Sequence, residues 1–126
     1  MHDVAPLAPD LPRYIYFEQQ GMLRIMTARS SGKLVGYATI CVLPHLHHLS
    51  TVFASVDTLW LRPDYRSGWT GARMIRHIER NMKKLGAAVV QIASKVHYQA
   101  DRGGTAKLLE HLGYRPTEVS YAKVLK

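Results

Sequence analysis

The 126-residue sequence predicts an α+β domain: a mixed, mainly antiparallel sheet with flanking helices. Three observations carry that expectation. Three strand-like runs follow one another with little chain between them. An amphipathic stretch at helical spacing follows the third run. A further apolar run follows that stretch, as a βαβ crossover requires. No repeat, low-complexity tract or linker divides the chain, so residues 1–126 are expected to form one domain, with 1–9 as an irregular arm.

Each element has a local cause. Pro6, Pro9 and Pro12 give the start turn chemistry. Asp10 is placed to cap a short helix that carries Pro12 in its first turn and stops near Gly21. Leu23 to Arg29 reads as a strand, Ser30 to Lys33 as a turn, and Leu34 to Leu43 as a second strand rich in branched residues, together an antiparallel hairpin. Pro44 to Ser50 is expected as a loop and Thr51 to Leu61 as a third strand, closed by Arg62 and Pro63. From about Thr70 to Leu85, Met74, Ile75, Ile78, Met82 and Leu85 recur at helical spacing, and Gly86 ends the run. Ala87 to Val96 is apolar enough to be expected as a strand buried on both faces. Gly103, Gly104 and Thr105 open a short helix to Leu112, ended by Gly113, and Tyr114 to Leu125 finishes as a strand.

Hydrophobic residues make up 47% of the chain and charged residues 21%, ordinary values for a domain with a packed core. The formal charge of +8 favours an anionic partner: nucleic acid, a membrane surface or a phosphate-bearing cofactor. No apolar run approaches the roughly 20 residues of a transmembrane helix, and the start lacks the basic head and apolar stretch of a secretory signal. Cys41 is the only cysteine, so an internal disulfide is excluded and a cytoplasmic setting is expected.

The stretch with most chemical content runs from Val56 to Arg73. A strand leads into a loop and then a helix start, with Arg66, Gly68, Thr70 and Gly71 within six positions. First-turn helix amides have no intrahelical partner and sit at the positive end of the helix dipole, so they form an anion site. Glycine there permits close backbone approach.

This stretch resembles the cofactor motif of the GNAT superfamily of acyl-CoA-dependent N-acyltransferases, Arg/Gln-x-x-Gly-x-Gly/Ala after a strand. Arg66 and Gly71 match its first and last positions; Trp69 replaces the middle glycine, with a glycine displaced to Gly68. Leu112-Gly113-Tyr114 is similar to the family's closing turn, and Glu118 to Leu125 looks like the end of short bacteriophage acetyltransferases. The resemblance covers roughly residues 10–126 and implies a GNAT-like, N-terminally shortened fold.

The resemblance implies acetyl-CoA as co-substrate and direct attack of an amine on its thioester. Arg66, Ser67, Gly68, Trp69, Thr70, Gly71 and Ala72 would hold the pyrophosphate through backbone amides, with Thr70 and Arg73 adding side chains. Leu59 and Leu61 would offer backbone groups to the pantetheine arm, where their strand and Ala87–Val96 splay apart. Asp57 lies where the family often places a base or water-positioning group; a strand-edge carboxylate paired with Arg or Lys is an equal reading. The family's proton-donating tyrosine aligns with Leu109, which cannot donate, so Tyr98 and Tyr121 become the candidate acids, with His97 nearby.

Other groups point elsewhere. His45, His47 and His48 lack a second ligand cluster, so no metal is expected. Cys41 reads as a small core residue, Trp60 and Trp69 as core or cofactor-wall residues. The leading expectation is N-acetyl transfer to an amine on a small molecule or protein. Its first alternative is a catalytically inactive GNAT-fold binding protein, phage-encoded and directed at a host factor; its second is a basic nucleic-acid-binding module, against which no recognition motif is visible. No membrane partner is expected, and the apolar last strand allows a homodimer.

Overall fold

The computed structural model describes residues 8–45, 48–93 and 104–125. Helix α1 spans Leu11–Gln19; the Asp10 carboxylate accepts the Arg13 amide at 3.1 Å, and proline sits in the first turn, where its missing N–H costs nothing. Strands β1 (Leu23–Ser30) and β2 (Lys33–His45) form a hairpin over Ser31 and Gly32, both at positive φ, the turn whose twist matches antiparallel strands. Strand β3 (His48–Leu61) returns antiparallel to β2. A 3-10 turn at Pro63–Tyr65 leads to α2 (Thr70–Lys84), and β4 (Ala87–Ile92) then lies parallel to β3. Helix α3 covers Gly104–His111. The sheet order is β1-β2-β3-β4, a mixed sheet of the expected α+β kind.

Strand alternation decides which side chains meet which helix. On β2, Ala38 and Ile40 face α2 with Ala54 and Val56 of β3, and pack on Ile78 and Met82. Ile40, Ile75, Ile78 and Met82 are fully buried, each worth ~1.5–3 kcal/mol of transfer free energy. The alternate residues Thr39, Cys41 and Leu43 line a cavity with Tyr14 and Phe17 of α1, on the opposite face. The α1 helix buries none of its own residues, so it contributes a wall more than a core.

Four expectations differ from the structure. The Pro44–Ser50 loop is mostly strand: β2 continues to His45 and β3 starts at His48, with a register irregularity at Pro44/His45 that accommodates the proline. Strand β4 ends at Ile92, and Ala88 and Val89 are exposed rather than buried on both faces, because β3 is its only strand neighbour among the described residues. The helical run stops at Lys84, one residue early.

The fourth is the tail. Residues 114–125 form no strand, and Val119, Tyr121 and Leu125 are 77%, 93% and 87% exposed. An alternating pattern gives a segment β propensity, but a strand exists only against a partner edge, and this tail is not docked on one. Its root is nevertheless fixed. The Tyr114 hydroxyl donates to the Glu79 carboxylate at 2.8 Å, and Glu79 pairs with Arg76 at 2.8 Å. Burial first, then that hydrogen bond, holds the Tyr114 phenol above its ordinary range, so it stays a neutral donor tying the end of α3 to α2.

Candidate functional site

The site is built on an irregularity in β3. Register with β2 runs Ile40↔Val56 and then Thr39↔Thr58, so Asp57 is the extra residue of a β-bulge. The bulge reverses the alternation: Ala54 and Val56 face α2 before it, Leu59 and Leu61 after it. Among the described residues, the pairing of β3 with β4 ends at the same point, at Val56↔Ile92, and from Asp57 onward β3 has no described β4 partner.

The ladder on the other edge shows which backbone groups this exposes. The Arg62 amide donates to the Val35 carbonyl at 2.7 Å. Antiparallel bonds recur on every second residue, so Trp60 and Thr58 also face β2, while Leu59 and Leu61 turn their N–H and C=O toward the opposite edge, where no described residue of β4 pairs with them. The Leu61 carbonyl is taken there by Arg66, whose Nε donates to it at 2.7 Å. Arg66 therefore ties the loop to the strand end as well as bringing a cation to it.

Beyond the loop, α2 begins without a cap. Its first backbone bond runs from the Arg73 amide to the Trp69 carbonyl at 2.9 Å, leaving the amides of Thr70, Gly71 and Ala72 ahead of the ladder. No side chain caps the helix and no acid lies in its first turn. Trp69 is 75% exposed, not a core residue. A Cβ on Gly71 would meet the Leu108 Cδ2 of α3 at 3.4 Å, so close packing of α3 is one physical demand on that glycine; a Cβ on Gly68 would meet nothing within 4 Å. Thr70 and Arg73 also line a hollow of about 470 Å³ between α2 and β1, with Arg29, His77 and Arg80. That hollow is on the β1 flank of α2, away from the divergence of β3 and β4.

A second cavity, of about 390 Å³, lies on the α1 face and reaches the bulge: Asp57 lines it with Tyr14, Phe17, Thr39, Cys41 and Leu43. Asp57 has no Arg or Lys partner among the described residues; its one contact is the Thr58 hydroxyl at 3.5 Å. Burial first, and the Asp57 charge second, push the Cys41 thiol up, so it is a neutral wall group rather than a nucleophile.

The structure thus places Asp57, Leu59 and Leu61 along the last part of β3, with Arg66 bonded back to Leu61 and the loop to Arg73 leading from that strand end into α2. It does not bring Tyr121 there, since that residue lies on the exposed tail; Tyr98, His97 and His47 fall outside the described residues. Leu109 is buried. Sequence reading missed the cavity walls Tyr14, Phe17 and Thr39. Their signal was available: Tyr14 and Phe17 are three apart on a helix, and Thr39 alternates with core residues Ala38 and Ile40.

A four-stranded mixed sheet with β3 and β4 parallel around α2 defines the architecture as an α+β fold with one crossover helix. Solved structures share this fold. An aminoglycoside acetyltransferase, HMB0005, from an uncultured soil metagenomic sample superposes with a TM-score of 0.77 at 15% identity, covering 100% of this chain and 81% of its own. AAC(6')-Iy in complex with the bisubstrate analog CoA-S-monomethyl-acetylneamine gives 0.72 at 16% identity, covering 99% and 86%. A transcriptional regulator from Bacillus halodurans C-125 gives 0.75 at 13% identity, covering 91% and 74%. No curated protein matches the sequence. The chain belongs to the Acetyltransferase (GNAT) family, which it matches over residues 3–114. GNAT acetyltransferases use acetyl-CoA as acetyl donor.

Proposed function

We propose that the protein is an N-acetyltransferase that moves the acetyl group of acetyl-CoA to an amine by direct attack. The observation that carries this reading is the coincidence of the Asp57 bulge with the end of β3–β4 pairing, beside the uncapped start of α2. The donor set fits the cofactor. The amides of Thr70, Gly71 and Ala72, with Arg66 and Arg73 close in sequence and no first-turn acid, suit a diphosphate. The amide and carbonyl of Leu59, with the Leu61 amide, face an edge without a strand partner among the described residues and suit an amide-bearing pantetheine arm laid along it.

Bound acetyl-CoA supplies an activated thioester carbonyl. The amine nitrogen attacks its carbon; a C–N bond forms, the C–S bond breaks, one proton leaves nitrogen and one reaches the departing sulfur. Asp57, at the bulge, takes the amine proton directly or through a water. Tyr98 and Tyr121 are the proposed donors to sulfur, Tyr121 requiring the tail to dock. A GNAT-fold binding protein without turnover stays the second reading, favoured by Leu109 at the family's tyrosine position. The resemblance of the tail to short phage acetyltransferases and a cytoplasmic location belong to the same proposal.

The loop is tested by Trp69→Asp. Trp69 is exposed, so its loss leaves the core intact, and a carboxylate at the helix start interacts favourably with the dipole by about 0.3–1 kcal/mol. The same charge repels a diphosphate. Calorimetry is expected to show acetyl-CoA binding weakened roughly tenfold, about 1.4 kcal/mol, while Tm holds or rises. Unchanged affinity would remove the helix start from the site.

The tail supports a homodimer. The outer edge of β4 has no strand beside it among the described residues, and the exposed residues 118–125 carry Val119, Tyr121, Val124 and Leu125, side chains suited to a strand, so the tail of one copy can pair with β4 of another. Light scattering is expected to report a dimer for the full chain and a monomer after truncation at Arg115. Equal masses for both would exclude tail exchange.

A further inference from the structure

The cavity on the α1 face carries an inference about the acceptor, and it rests on the transferase reading above. Its volume, about 390 Å³, lies in the range of small-ligand sites. Its walls are mostly apolar: Phe17, Tyr14, Leu43 and the neutral Cys41 thiol. Three charged groups line it, and two cancel. The Asp10 carboxylate accepts the Arg13 amide and lies 3.5 Å from the Arg13 Nε, which leaves Asp57 as the one lining carboxylate without a cation among the described residues. The Thr39 hydroxyl, also of this wall, is buried with no hydrogen-bond partner among the described residues.

We infer that this cavity takes a compact monoamine with an apolar body, an alkyl- or arylalkylamine, whose ammonium meets Asp57 and whose hydrocarbon lies against Phe17 and Leu43. One unbalanced negative charge matches one positive charge. A polycation would place its remaining charges against apolar walls in a protein that itself carries +8. The selected class therefore differs from aminoglycosides, although relatives in fold act on them.

The only cysteine of the protein gives a readout independent of turnover. Cys41 lines the cavity, so its alkylation rate by iodoacetamide, followed at about pH 9.5 because burial holds this thiol above the ordinary range, reports occupancy. Phenethylamine is expected to slow labelling about tenfold at saturation, neamine at equal concentration not at all. Phe17→Ala, at a half-exposed position that leaves the fold unchanged, is expected to raise the phenethylamine concentration needed for protection about tenfold, and Asp57→Asn likewise. Labelling unaffected by phenethylamine, or equal protection by neamine, overturns the inference. Loss of acetyl-CoA binding in the parallel titration would instead overturn the transferase reading, so the two failures are distinct.

Discussion

Asp57→Asn is expected to lower kcat for amine acetylation about a hundredfold, within the 10²–10⁴ range of a lost general base, and to leave acetyl-CoA affinity unchanged. The separation follows from position. Asp57 is the bulged residue, and the groups proposed to hold the cofactor begin beyond it, at Leu59. Its carboxylate is exposed, takes part in no ion pair among the described residues and makes one marginal contact to Thr58, so the isosteric amide removes a proton acceptor without removing a structural bond. Single-turnover release of the CoA thiol, measured beside an acetyl-CoA titration, reads both quantities. Full activity in the variant would take Asp57 out of the mechanism and leave a water or another group as the base.

Gly36→Ala is expected to destabilise the fold by about 2 kcal/mol, as overpacking of a close contact does. A Cβ at this position would lie 2.8 Å from the Trp60 carbonyl oxygen and 2.8 Å from the Leu61 Cδ1, with the Met74 Sδ at 3.2 Å. The side chains can shift, but the carbonyl belongs to β3 and cannot move without disturbing the ladder. The strain falls where β3 ends, Arg66 anchors and α2 begins, so acetyl-CoA affinity is expected to fall with stability. Gly68→Ala is the control, since its Cβ would enter open space. Urea unfolding of both variants checks the contrast; equal midpoints would mean that the strand end yields more easily than its geometry implies.

Much of this was legible in the sequence, and the parts that were not share a cause. The elements from Asp10 to Gly113 fall in the expected order because caps, turn glycines and helical spacing are local signals. The bulge at Asp57 was not legible, because Phe53 is apolar on the parity opposite to Ala54 and Val56, and Trp60 on that opposite to Leu59 and Leu61, which blurs the alternation; only the register with β2 reveals it. Sequence failed where an outcome depends on a distant partner. Among the described residues the tail has no partner edge and β4 has one strand neighbour despite its apolar residues, and Gly71 answers to Leu108 of α3 as much as to a ligand. The Leu61–Arg66 bond and the shared cavity of α1 and β2 are likewise products of the assembled fold.

The central claim is that the divergence of β3 from β4 and the start of α2 together hold acetyl-CoA. Amide NMR during an acetyl-CoA titration tests it residue by residue. The largest shifts are expected at Leu59, Leu61, Thr70, Gly71 and Ala72, the amides without strand or helix partners among the described residues. No shifts, or shifts confined to the hollow lined by Arg29, His77 and Arg80, would contradict it.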